Sequence, residues 1–184
     1  MEELAGRQWW KELRAVMPVE NGSVLYLKER QLFLEKCSPA MIVNQLAHQL
    51  GVDPRALRRR LRKLLGRRMV PLPLLPDLTL VPVRVRQGPG PMWGYLVYEQ
   101  AILYRRIQEP PFRSAVYLDD GVVIPTLLTA GTLRRVWRET ILAKREERRY
   151  YRVPQPPDPR VNERWPVAPH PWFLHHATRR EGPL

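Results

Sequence analysis

The chain has 184 residues, 44% of them apolar, and a formal charge of +13 with a pI near 10.7. That length and apolar content suit one sizeable core, while twenty prolines, clustered at 71–91, 110–125 and 154–171, exclude a mostly helical protein. A folded protein this basic ordinarily meets a polyanion, because its own charge repulsion otherwise opposes compactness.

Arginine outnumbers lysine 26 to 5, a skew that GC-rich coding produces as readily as selection for phosphate contacts. The single cysteine, Cys37, excludes an intramolecular disulfide and a thiolate zinc site. The opening MEELAGRQWW is acidic and lacks an apolar signal core, so the expected localisation is cytoplasmic. The most apolar run, MVPLPLLPDLTLVPV (69–83), contains four prolines and an aspartate, which rules it out as a membrane span.

In chain order, residues 1–22 read as an N-terminal helical segment, with Trp9, Trp10, Leu13 and Met17 on one side and a closing turn at Glu20-Asn21-Gly22. A hairpin follows, with strands Ser23–Leu27 and Leu32–Glu35 around a polar turn. Ser38 is a suitable N-cap, with Pro39 at the first helical position. Ile42, Leu46 and Leu50 form an i, i+4, i+8 stripe, and Gly51 suits the left-handed stop. Asp53 and Pro54 repeat the start signal for a second helix with Leu57, Leu61, Leu64 and Leu65 as its apolar side and Gly66 as its end. Two helices joined by a three-residue turn containing glycine make a helix-turn-helix signature over 38–66.

A proline-rich connector (71–77) leads to LTLVPVRVR, whose period of two predicts a strand, with Pro82 placing it at a sheet edge or a bulge. After the QGPGP loop, WGYLVYEQAIL reads as one strand. AVYLDDGVVIP reads as a hairpin, with Asp120-Gly121 suited to a type I′ turn. A helix is expected from Thr132 to about Arg149, with Leu133, Val136, Trp137, Thr140 and Ile141 on its buried side. The expected fold class is therefore α+β: a helix-turn-helix-like pair, then an antiparallel β-sheet packed by a long helix, with an extended Pro-rich C-terminal tail. The segments are the N-terminal 1–22, a single α+β DNA-binding domain over 23–150, and a Pro- and aromatic-rich tail over 151–184.

The second helix carries the sharpest functional signal. Residues 53–68 hold eight Arg and Lys side chains and one acid, Asp53. A merely solvated helix intersperses Glu with Lys to gain i, i+4 pairs, so this stretch favours a polyanion over a solvated face or an intramolecular acidic partner. In helix-turn-helix geometry the first part of the second helix enters the major groove. Arg55 and Arg59 then face base edges, and Arg58, Arg60, Arg62, Lys63, Arg67 and Arg68 fall on phosphates. Six neutralised phosphates correspond to a salt slope of roughly −5. Arg84 and Arg86, on one strand face, either extend the basic surface or protect an edge strand by charge.

Over about 20–141 the order and spacing of features resembles the competence transcription factors of Gram-positive bacteria, the ComK-like family. The matching positions are Lys36-Cys37-Ser38-Pro39, Gly51 through Gly66, Val70-Pro71-Leu72, Leu80-Val81-Pro82-Val83, Trp93-Gly94, Asp120-Gly121 and Thr129 through Thr140. The family's Phe-Phe-Pro-Thr is Leu-Val-Pro-Val here, Met92 stands near an expected cysteine, the glutamine of the last helix is lost, and the tail is extra. The resemblance implies a transcriptional activator that binds DNA as an oligomer through the minor groove of A·T-rich boxes, and an activator implies contact with RNA polymerase. Arginines serve either groove.

Other constellations have plainer readings. His170, His175 and His176 lie in the proline-rich tail without a ligand set for metal. Asp119-Asp120 is explained by turn chemistry. No serine has a nucleophile setting, and QGPGP lacks the lysine and helix of a phosphate-binding loop. Trp93, Tyr95 and Tyr98 offer stacking surfaces for bases, with core packing favoured. No enzyme activity, cofactor or metal is expected. The expected partner is double-stranded DNA, bound by a homo-oligomer with no membrane contact. An RNA- or ribosome-associated protein is the alternative, and a module binding an acidic protein is the third class.

Overall fold

The structure is a computed structural model, and it describes residues 8–86 and 92–152. The fold is α+β, and the described residues form antiparallel sheets of six and three strands and three α-helices. The strands are β1 (Leu13–Val19), β2 (Gly22–Leu27), β3 (Gln31–Glu35), β4 (Leu72–Leu75), β5 (Leu78–Arg86), β6 (Met92–Val97), β7 (Ala101–Arg106), β8 (Ser114–Leu118) and β9 (Val123–Thr126). The helices are α1 (Pro39–Gln49), α2 (Pro54–Leu65) and α3 (Ala130–Arg152). The large sheet has the order β3-β2-β1-β6-β5-β4 and the small one β7-β8-β9. The described residues fall almost wholly in one compact unit, and the proline-rich tail with its three histidines lies outside the described residues.

The large sheet is buried on both faces. Leu13, Val16, Leu25, Leu80 and Tyr95 pack with Ile42, Leu46, Leu57 and Leu61 of α1 and α2. Alternating neighbours Ala15, Met17, Val83 and Leu96 pack with Val116, Leu118 and Ile124 of the small sheet and Leu133 of α3. α3 contributes to both clusters, through Leu133 in one and Ala143 in the other.

Burial on both faces explains the main departure from the expected elements. The expected N-terminal helix is instead a 3-10 turn at Trp9–Lys11 followed by β1, and residues 1–7 lie outside the described residues. β1 sits between β2 and β6, so residues 13–19 belong to the domain's sheet rather than to a separate segment. Its first five residues are all buried, and such a strand loses the alternation that marks a one-sided one. Gly94 permits the seam between β1 and β6, since a Cβ there would meet Met17 Sδ at 2.6 Å and the Val16 carbonyl oxygen at 2.9 Å.

The expected connector 71–77 contains β4, which is the edge strand, and β5 is internal rather than at an edge. Pro82 is tolerated there because β4 pairs with β5 only as far as Leu80, which leaves no strand on that side to need its missing N–H. The bulge lies later, between Arg84 and Arg86. WGYLVYEQAIL is divided by a 3-10 turn at Tyr98–Gln100 into β6 and β7, which enter different sheets. The 114–126 hairpin forms, with a different turn: Gly121 N–H donates to the Leu118 carbonyl at 3.1 Å, and only Gly121 has positive φ (82°). That is a type I turn with a left-handed glycine bulge. On α3, Ile141 is exposed, and Ala143 and Glu147 take the buried positions.

The helix pair follows its capping residues. Ser38 Oγ accepts from Met41 N–H at 3.3 Å, Gly51 (φ 72°) ends α1, and Gly66 (φ 64°) ends α2. Asp53 Oδ1 accepts from Arg55 N–H at 2.8 Å and Ala56 N–H at 3.2 Å. The N–H groups of Ala56 and then Arg55 hold the Asp53 pKa below the ordinary carboxylate value. A depressed folded-state pKa stabilises above the unfolded value, near about 4, and the contribution is lost as pH falls through the folded one. Thermal midpoints should therefore fall more steeply below about pH 4 in the wild type than in Asp53→Asn, which still caps the helix but does not titrate. Parallel curves would exclude Asp53 as a source of the acid sensitivity.

Candidate nucleic-acid interface

α2 presents two different kinds of basic side chain. Leu57 and Leu61 are buried against α1 and the sheet, which turns the opposite side of the helix to water. Arg55, Arg59, Arg62 and Lys63 are exposed on that side. Arg55, Arg59 and Lys63 form no salt bridge or side-chain hydrogen bond among the described residues. Arg62 Nε donates to the Arg68 carbonyl oxygen at 3.0 Å, which anchors the turn after Gly66. From Arg55 to Lys63 the helix rises about 12 Å.

The flanking cations are engaged inside the protein. Arg60 pairs with Glu147 of α3, and Arg67 Nη1 donates to Glu139 Oε2 at 2.8 Å. Glu147 is buried and Glu139 is mostly covered, so the two pairs join α2 and the turn after it to α3 in a partly dry setting. Arg58 Nη1 donates to Asn44 Oδ1 of α1 at 2.6 Å. The run of cations without an acid of its own is thus partly compensated from 72 and 87 positions away. Arg60 and Arg67, expected on phosphates, spend their charge on glutamates, and the exposed basic set reduces to Arg55, Arg59, Arg62, Lys63 and Arg68.

α3 is itself fixed at a third point. Lys144 Nζ pairs with Glu99 and lies 5.4 Å from the centre of the Tyr98 ring, and Glu99 Oε2 accepts from Thr79 N–H at 2.8 Å. Trp137 meets Tyr98 and Tyr104 at ring-centre distances of 5.9 and 5.4 Å. Tyr98 and the buried Tyr95 are therefore packing residues. Trp93 lines a cleft of about 190 Å³ together with Arg67, Arg68, Met69, Pro82 and Val136.

Arg84 is exposed two residues beyond Pro82, while its carbonyl accepts from Leu127 N–H and Thr126 Oγ, both at 2.8 Å, linking the two sheets. Arg86 closes β5, and its side chain lies outside the described residues. Asp119 and Asp120 have a role beyond the turn, since they face the buried Arg14 of β1 at 3.3 and 3.8 Å. The 3.3 Å contact of Arg14 Nε is an ion pair without hydrogen-bond alignment.

Among the described residues no group of three or more His, Cys, Asp or Glu side chains is placed to hold a metal ion, and no helix is long and apolar enough to cross a membrane. Comparison with protein-family models, with curated proteins and with solved structures finds no match for this chain.

Proposed function

We propose that the chain is a DNA-binding transcription regulator that holds duplex DNA on the exposed side of α2. The observation that supports this most directly is the sorting of cations on that helix. Those on the flank are matched by buried or covered glutamates, whereas among the described residues Arg59 and Lys63 stand in water without an acidic partner and Arg55 has only the attraction of the capping Asp53. Like charges so arranged repel one another until a polyanion neutralises them. By analogy with helix-turn-helix proteins, the first turns of α2, with Arg55 and Arg59, would face the bases, and Arg62, Lys63 and Arg68 the phosphates. The resemblance to competence factors adds the expectation of an activator that acts as a homo-oligomer in the cytoplasm and touches RNA polymerase.

The test is a titration with duplex DNA, single-stranded RNA and structured RNA, each at about 50 and about 200 mM salt. Duplex DNA should bind tightest. Three phosphate-facing cations correspond to a slope of log K against log salt of about −3. Equal or tighter binding of structured RNA would overturn the proposal in favour of an RNA-associated protein. A minor-groove ligand added as competitor then assigns the groove: displacement places α2 or its neighbours there, and indifference places α2 in the major groove.

A further inference from the structure

α3 carries more free positive charge than α2. Its acids are Glu139, Glu146 and Glu147, and two of these point inward to Arg67 and Arg60. On the side away from the core, Arg134, Arg138, Arg145, Arg148 and Arg149 are exposed and have no ion pair or hydrogen bond among the described residues. Arg135 is also exposed, and its one ionic contact among them, at 3.9 Å, is with a glutamate already bonded to Arg67. Arg134 with Arg138, and Arg145 with Arg149, are like charges at i, i+4, a spacing at which each pair destabilises a helix.

The two ion pairs also fix how α3 lies beside α2. Arg60 of α2 meets Glu147, and Arg67, just past the Gly66 cap, meets Glu139, so partners ascend along the 60–67 segment as they descend along α3. The 60–67 segment thus runs opposite to 139–147 of α3, and the boundary between them carries both ion pairs. Their unpaired cations remain on the outer sides. Exposed Ile141 and Leu142 interrupt the α3 arginines midway, where a helix designed only for solvation carries polar groups.

We propose that α3 is a second phosphate-binding arm of the same surface, adding sequence-independent contacts to the backbone of the duplex that α2 engages. The inference rests on the reading of α2 as the DNA-binding helix. From Arg134 to Arg149 the helix rises about 22 Å, the length of six to seven base steps at about 3.4 Å each. The glutamates at the shared boundary keep two cationic helices side by side that would otherwise repel, and leave the outer arginines available.

The experiment uses the full chain with two double variants on α3, R134Q/R138Q and R145Q/R149Q, beside R55Q/R59Q on α2. Each is titrated with a duplex carrying a preferred sequence and with a random duplex, at about 50 and about 200 mM salt. Each α3 variant should reduce the salt slope by about 2 and weaken both duplexes by the same factor. R55Q/R59Q should instead reduce the preference for one duplex over the other. Wild-type binding by both α3 variants, with weakened binding in the α2 variant, overturns the second arm and leaves the proposed function standing. A wild-type chain without affinity for either duplex overturns both.

Discussion

Alanine at Arg55, Arg59 and Lys63 together should weaken duplex binding roughly 100- to 1000-fold near physiological salt, with the thermal midpoint within a few degrees of wild type. The three side chains are exposed and make no salt bridge or side-chain hydrogen bond among the described residues, Arg55 having only the electrostatic attraction of the exposed Asp53, so their removal leaves no buried group unsatisfied. Alanine is the better helix former, which protects α2 from unwinding. Every phosphate that the variant no longer neutralises reduces the salt slope by about 0.9, so binding should also be less salt-sensitive. Fluorescence anisotropy at several salt concentrations, with a circular dichroism melt as control, measures both quantities. Unchanged affinity with an intact melt would remove α2 from the interface.

The second large effect concerns stability. Asp119→Asn with Asp120→Asn should destabilise the fold by about 3 kcal/mol, a fall in melting temperature of about 6–12 °C. Arg14 is buried in the middle of the large sheet, and these two hairpin carboxylates are its ionic partners among the described residues. Without them its charge stays buried with nothing to balance it. The converse change, Arg14→Met, should be close to neutral. It removes the buried charge, keeps an apolar stem in place, and leaves two aspartates at a hairpin tip that water reaches. Equal destabilisation in the two variants, read from denaturant midpoints, would show that the hairpin contributes packing rather than charge balance.

What could be read from the sequence divides by the range of the interaction. The caps of α1 and α2 and the β2–β3 and β8–β9 hairpins depend on residues within about ten positions, and each forms close to its expected bounds; the leucine stripes do so too, except that Leu64, expected on the apolar side of α2, is exposed. β1 reads as a helix because Trp9, Trp10, Leu13 and Met17 at helical spacing are also what a strand covered on both faces offers. β4 reads as a connector because Pro71, Pro73 and Pro76 suggest one, although an edge strand tolerates proline. The candidate site divides in the same way. That α2 has an apolar side and a basic side is local information. That Glu139 and Glu147 engage Arg67 and Arg60 depends on where α3 docks, and no local pattern encodes it. The clasp of Arg14 by Asp119 and Asp120 crosses more than a hundred positions and leaves no trace beyond an arginine within an apolar run.

The seam between β1 and β6 sets how this chain must fold. The six-stranded sheet is two three-stranded meanders, β1-β2-β3 and β4-β5-β6, each assembled from neighbours in sequence. Their strands pair through Ala15 with Leu96 and Val16 with Tyr95, about eighty positions apart. Meanders of that kind form early, whereas a contact of such separation waits on the entropy of closing the intervening chain. Until it closes, β1 and β6 are both bare edges carrying buried-type residues such as Val16 and Leu96, the condition in which strands pair with another molecule. During synthesis that exposure lasts from the emergence of β1 until residue 97 is available. Concentration and temperature during refolding should therefore govern recovery more strongly than any property of the finished sheet.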